Sequence, residues 1–151
     1  MKDDNLQALN TKLEALNAKG NTSLCYAAAA GNVNIAELML KLNTDLANVG
    51  RVKPVFMAAL LGHADMVNFL SPRTNITEWE ITEQVDLFVT YASVGMYEQA
   101  LHMLKKNPSL ATRKNNQDKT ALHVLALKPS AFVSGSQPGI LRRWINSCEL
   151  F

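Results

Sequence analysis

Cys25, His63, His102 and His123 carry the groups of this chain that could attack a substrate or shuttle a proton near neutral pH. A thiolate at Cys25 would be a nucleophile, and the imidazole of His123 would be a general base or a metal ligand. Neither stands in the company that such chemistry needs. The histidines are far apart and have no carboxylates or cysteines at ligand spacing, so they do not make a metal site. Cys25 and Cys148 are too few for a disulfide framework and too distant for a paired metal motif, and both read as free thiols. No phosphate-binding glycine loop, dinucleotide fingerprint, nucleophile elbow or H-E-x-x-H string occurs. The sequence therefore predicts no enzyme, no metal and no cofactor. It predicts that His123 braces a turn by bonding Thr120 and backbone, that Cys25 is a small buried residue, that His63 starts a helix and that His102 is solvated on a helix face.

The elements that position these residues recur at fixed steps. GNTSLCYAAAAGN spans 20–32, VKPVFMAALLGH spans 52–63 and DKTALHVLAL spans 118–127. Ala27, Ala28 and Gly31 return as Ala58, Ala59 and Gly62 after 31 residues, and Thr22 returns as Thr120 after 98, close to three units of 33. A period near 33 carrying T-P-L-H-x-A variants is the ankyrin-repeat signature. The residue types suit the geometry. Thr caps a short helix, a small residue or Pro fits its first turn, and Leu24, Ala27 and Ala28 share one buried face. Gly31 and Gly62 stop that helix in a left-handed conformation, and a second helix follows. Its apolar residues are Ile35, Leu38, Met39 and Leu42 in one copy and Met66, Val67, Phe69 and Leu70 in the next.

The predicted fold is an all-α ankyrin-repeat solenoid of helix-turn-helix units, three to four in number, with the terminal ones incomplete. Residues 1–19, with the stripe Leu6, Leu9, Leu13 and Leu16, form a partial repeat or an N-terminal cap. Units then run over 20–49, 50–72, 73–117 and 118–128. The third is degenerate: Thr74 to Glu83, with Trp79, is inserted, and Tyr91-Ala92-Ser93-Val94-Gly95 replaces A-A-x-x-G. Residues 107–111 echo 43–47 at a step of 64, so the repeat includes the loop. The fourth unit breaks off at Lys128-Pro129, and 129–151 is a tail in which residues 140–151 form a capping helix.

Composition narrows the partners. The chain has 151 residues, 48% hydrophobic and 19% charged, enough to bury a core. A net charge of +2, with Lys and Arg scattered, gives no basis for nucleic-acid binding. No apolar run is long enough to span a membrane, and MKDDNLQALN does not read as a signal peptide, which points to the cytosol. The sequons at Asn21 and Asn75 are then inert.

The strings PVFMAALLGHADMVNFL, YEQALHMLKKNPSLATRKNNQDKTALHVLALKPSAF and GSQPGILRRW resemble the plant ankyrin-repeat proteins whose repeats precede a C-terminal transmembrane domain. The similarity covers roughly residues 17–143, and 120–132 is its most distinctive part. The resemblance implies a role in defence, cell death or salt-stress signalling at membranes. This chain lacks the earlier repeats and the membrane domain of that pattern, so the expectation is a chain that does not itself insert into a membrane.

Protein binding is the expected activity. In a stack of this kind the first helices line a concave face, and positions beside the buried Leu and Ala face a partner. Those positions are Tyr26, Ala29 and Ala30, then Met57, Leu60 and Leu61, an unusually apolar set. Loop tips at Asn48, Arg51, Lys114 and Asn116 supply a polar rim. The alternatives are that missing repeats or the insertion with Trp79 cover this row, or that the chain is a structural fragment of a membrane-anchored protein with no partner of its own.

Overall fold

Two rows of helices run through the structure, a computed structural model that describes residues 2–128. After α1 (Lys2–Glu14), the inner row is α2 (Ser23–Ala29), α4 (Pro54–Leu60), α6 (Ile81–Val94) and α8 (Ala121–Ala126). The outer row is α3 (Val33–Leu42), α5 (Ala64–Leu70) and α7 (Tyr97–Lys106). Inner helices pack in order, α2 on α4, α4 on α6 and α6 on α8, and each outer helix packs on the inner helix before it. One-turn 3-10 helices at Thr44–Ala47, Ser71–Arg73, Ile76–Glu78 and Pro108–Ala111 fill connections, and no strand occurs among the described residues. This is the all-α solenoid of paired helices that the period predicts. None of the described helices is long and apolar enough to cross a membrane.

Alanine sets the inner spacing. Ala27, Ala28, Ala58, Ala59, Ala92 and Ala121 are all buried in the core with Leu24, Val55 and Leu87. Side chains this small let neighbouring helices approach to the short end of the usual ~8–10 Å range. Each inner helix starts where the sequence placed a cap. Thr120 is extended and its hydroxyl accepts the His123 N–H, and Pro54 occupies the first turn of α4. Thr22 departs from this expectation: its backbone is extended ahead of α2, but its buried hydroxyl makes no capping bond.

Gly31 has φ +66 and turns the chain from α2 into α3. The ring of His63, the residue ahead of α5, rests on it and donates from Nε2 to the Ala29 carbonyl at 2.9 Å, tying one unit to the next. The loop echo also holds. Asn43 and Asn107 precede the 3-10 helices Thr44–Ala47 and Pro108–Ala111, and each turn buries its leucine, Leu46 and Leu110.

The outer face of α3 is set by its neighbours. Ala36 and Leu40 are its buried residues, whereas Ile35, Leu38 and Leu42 are exposed and Met39 is half-buried. The equivalent residues of α5, Met66, Val67 and Leu70, are buried, with Phe69 half-buried. The difference is one of neighbours: α3 packs on α2 and on α5 and has little on its other flank, so residues with helical period on that flank stay in solvent. The stripe on α1 fares likewise. Leu13 packs on the core, but Leu9 and Leu16 are exposed. The insertion folds into one 3-10 turn, Ile76–Glu78, and its last residues become the first turn of α6, twice as long as α2 at 14 residues against 7. The capping helix expected in 140–151 lies outside the described residues, as does Cys148.

A methyl group added at Gly31 meets the His63 ring at 2.7 Å, whereas one added at Gly62, φ +79, meets nothing within 4 Å. Gly62→Ala should therefore cost only the left-handed backbone, about 1–2 kcal/mol. Gly31→Ala should cost that and, in addition, about 1 kcal/mol for the displaced histidine bond. Urea unfolding of the two variants measures the gap, and equal losses would mean that the His63 bridge contributes nothing.

Candidate protein-binding face

The inner helices present one face to solvent, and the repeat step places equivalent residues side by side on it. Tyr26, Ala29 and Ala30 of α2 correspond to Met57, Leu60 and Leu61 of α4 and its C-cap, each 31 residues on. Tyr26 is 58% exposed, Leu60 54% and Leu61 51%, while Ala30 is exposed and Ala29 and Met57 are half-buried. Exposed apolar side chains of this size make an open patch, so the insertion does not cover it. Trp79 and Ile76 turn inward and pack against the core instead.

Two details fix the shape of this face. The Tyr26 hydroxyl accepts from the Asn17 amide, which holds the ring in place, and the Ala29 carbonyl is already taken by His63. In α6 the equivalent places carry Thr90 and Ser93, whose hydroxyls donate to backbone carbonyls of their own helix, Asp86 at 2.7 Å and Thr90 at 2.8 Å. The third unit thus interrupts the apolar row. It resumes at the C-cap of α8, where Leu127, 72% exposed, stands 98 residues after Ala29. The step from Thr22 to Thr120 was the signal that could have named Leu127 from sequence.

The rim loops share one construction. Asn17 accepts the N–H groups of Lys19 and Asn21 on its side-chain oxygen, and Asn115, 98 residues later, accepts those of Gln117 and Lys119. Gly20 closes the first loop with φ +77, and Asp118 takes the same place with φ +58, a conformation in which Asp is among the better tolerated side chains. Arg51 is exposed, and its N–H donates to the Gly20 carbonyl at 2.8 Å, so adjacent loops are tied. Lys114 is not a bare charge, because its ammonium pairs with Asp118 at 2.8 Å. Asn116 is bound to the Asp86 carboxylate, and Asn48 accepts the Asn75 N–H, so both act as loop ties.

The chemically capable residues occupy structural positions. The Cys25 thiol is buried and donates to the Val52 carbonyl at 2.8 Å, which ties one unit to the next. Burial pushes the thiol pKa up, against smaller lowering effects from Thr22 and Lys53, which disfavours the thiolate a nucleophile requires. The Thr22 hydroxyl lies beside it without hydrogen-bond geometry. His123 Nδ1 meets the Thr120 hydroxyl at 2.7 Å, the predicted brace, while the expected bond from its ring to backbone is not found among the described residues. His102 is exposed on α7. Among the described residues, no group of three or more His, Cys, Asp or Glu could hold a metal ion.

Burial also raises the pKa of the Tyr91 phenol in the core. Both groups hold their proton more tightly folded than unfolded, so the stability they support is complete below the ordinary values of 9.0 and 10.0 and falls as pH rises through each. Urea midpoints between pH 8 and 11 should therefore decline from about pH 9 and more steeply above 10. Cys25→Ser, which does not titrate there, should abolish the first part of the decline and leave the second.

A family profile for ankyrin repeats, in three copies, matches residues 3–78, half of the chain. An ankyrin repeat protein of Rickettsia bellii (strain RML369-C) is 32% identical over 72 residues, 46% of this chain. The match spans 43% of that relative's length. The profile match, the paired helices on a step near 31–33 and the glycine-ended inner helices together place this chain in the ankyrin-repeat family, whose repeats are protein–protein interaction modules.

Proposed function

We propose that the inner-helix face docks a protein partner through an apolar row anchored by Tyr26, Leu60 and Leu61. The observation that carries this reading is the cluster of three large side chains, each more than half exposed, on adjacent helices that otherwise bury their apolar residues. A soluble surface rarely spends such area without a use, and a few large anchors usually carry most of an interface's binding energy. Ala29 and Ala30 give a shallow floor beside the anchors, Met57 contributes an edge, and Leu127 extends the row. Arg51 and Lys114 lie on the rim, where charge steers encounter more than it holds the complex. The units at 20–49, 50–72, 73–117 and 118–128 act as one surface in this reading.

The resemblance of residues 120–132 to plant ankyrin proteins supports a place in stress or defence signalling. The free, buried Cys25 suits a reducing compartment such as the cytosol.

Tyr26, Leu60 and Leu61 are exposed, so changing all three to serine should leave helical circular dichroism intact and move the melting temperature by only a few degrees. A photo-crosslinking amino acid at position 30, in cells that make the chain from its own gene, should capture a discrete partner. The triple serine variant should lose at least tenfold in affinity for that partner, while Lys114→Glu should alter only the association rate. Unchanged affinity in the triple variant would move the interface elsewhere.

A further inference from the structure

The stack is regular except at one step. α3 packs on α5, but α7 packs on α6 and on its own following turn, Pro108–Ala111, rather than closely on α5. After α5 come two 3-10 turns, Ser71–Arg73 and, in the inserted segment, Ile76–Glu78, and an open groove of about 1030 Å³ lies between these turns and α7. That volume is at the upper end of what small-molecule pockets offer, roughly 300–1,000 Å³, and the groove is open rather than enclosed. It lies among the outer elements, apart from the apolar row on the inner helices.

Its floor holds an unmet demand. Tyr91 is 1% exposed and stands where α4 has Ala58; its hydroxyl and that of Ser71, both lining the groove, are buried and have no hydrogen-bond partner among the described residues. The two lie near one another without the geometry of a bond. A buried hydroxyl is normally paired, and an orphaned one at the floor of a groove points to a ligand atom.

The walls indicate the ligand. Gln99 donates to the Asn68 oxygen at 2.7 Å, bridging α7 to α5, and the Gln99 oxygen and the Asn68 amide have no partner among the described residues. Gln84 donates to the Trp79 carbonyl and keeps its own oxygen free. A carboxamide presents a donor and an acceptor in one plane, the same pair that a peptide group presents, so such side chains suit an extended main chain. Along α7, Glu98, His102 and Lys106 follow at i, i+4 and i+8, a rise of about 12 Å that an extended peptide covers in about four residues. Residues four apart on a strand share one face. Glu98 and Lys106, both exposed and unpaired among the described residues, therefore meet two such side chains of opposite sign.

We infer that the groove between the two 3-10 turns and α7 binds an extended peptide segment of a partner protein, with a basic side chain at Glu98, an acidic one four residues away at Lys106, and a polar group over Tyr91.

Fluorescein-labelled pools of capped heptapeptides test this on the full chain by anisotropy. One pool fixes arginine second and aspartate sixth, the other reverses them, and control pools fix two arginines or two aspartates. One mixed-charge pool should bind several-fold better than the other and better than both controls. The double variant Glu98→Lys/Lys106→Glu, which keeps the net charge, should invert that preference. Tyr91→Phe should weaken the preferred pool several-fold, while the triple serine variant of the inner face should bind it unchanged. Equal binding of all pools, or a preference that survives the charge exchange, would overturn the inference. Saturable binding of small polyols in place of any peptide would overturn it too, and would assign a small-molecule site instead. None of these outcomes depends on whether the inner face has a partner.

Discussion

The contact between inner helices is the constraint from which the rest of the structure follows. Ala27 and Ala28 face Ala58 and Ala59 across it, and all four are buried. Because the side chains are so small, the helices that bear them can sit close, and the other residues of α2 and α4 divide among core, edge and solvent. Leu24 and Val55 fill the core, while Tyr26, Leu60 and Leu61 have no inward space left and stand in solvent. The exposed apolar row is thus a geometric by-product of the alanine seam that is available for binding, and not an independent feature of the surface.

Hydrogen bonds between units then fix the register that packing alone leaves loose. Arg51 N–H to the Gly20 carbonyl, the Cys25 thiol to the Val52 carbonyl and His63 to the Ala29 carbonyl each join one unit to the next. The donors differ in chemistry, yet all end on backbone carbonyls. A carbonyl buried between units costs on the order of 1–3 kcal/mol if left unpaired, so a position that supplies its donor tolerates thiol or imidazole as long as an N–H or S–H arrives. Cys25 and His63, at different places in the motif, thus do the same work of tying one unit to the next.

Much of this was legible in the sequence because small residues and glycines are decided locally. Gly31 and Gly62 turn left-handed wherever they stand, and Asn43 and Asn107 start the same turn. The buried face of α2 was correct for the same reason. Which face of α3 is buried was not legible, because Ile35 and Leu38 have the right period whether or not a neighbour covers them, and periodicity contains no count of neighbours. Leu9 and Leu16 stand in solvent for the same reason. Leu127 was missed as a member of the inner row although the 98-residue step pointed to it, and the groove was not foreseeable at all, since it arises from a gap between elements.

That gap has an origin in one residue type. Tyr91 stands where the alanine seam of α2 and α4 would continue, and a buried phenol cannot fit where a methyl fitted. α6 is longer, at 14 residues, and the inserted segment brings Ile76, Trp79 and Ile81 against the core. The space this opens lies on the outer side, between the two 3-10 turns and α7. On the inner side the same unit replaces large apolar residues with Thr90 and Ser93. The third unit therefore weakens the inner row at the step where it creates the outer groove, so its departure from the repeat moves potential binding surface from one side of the stack to the other.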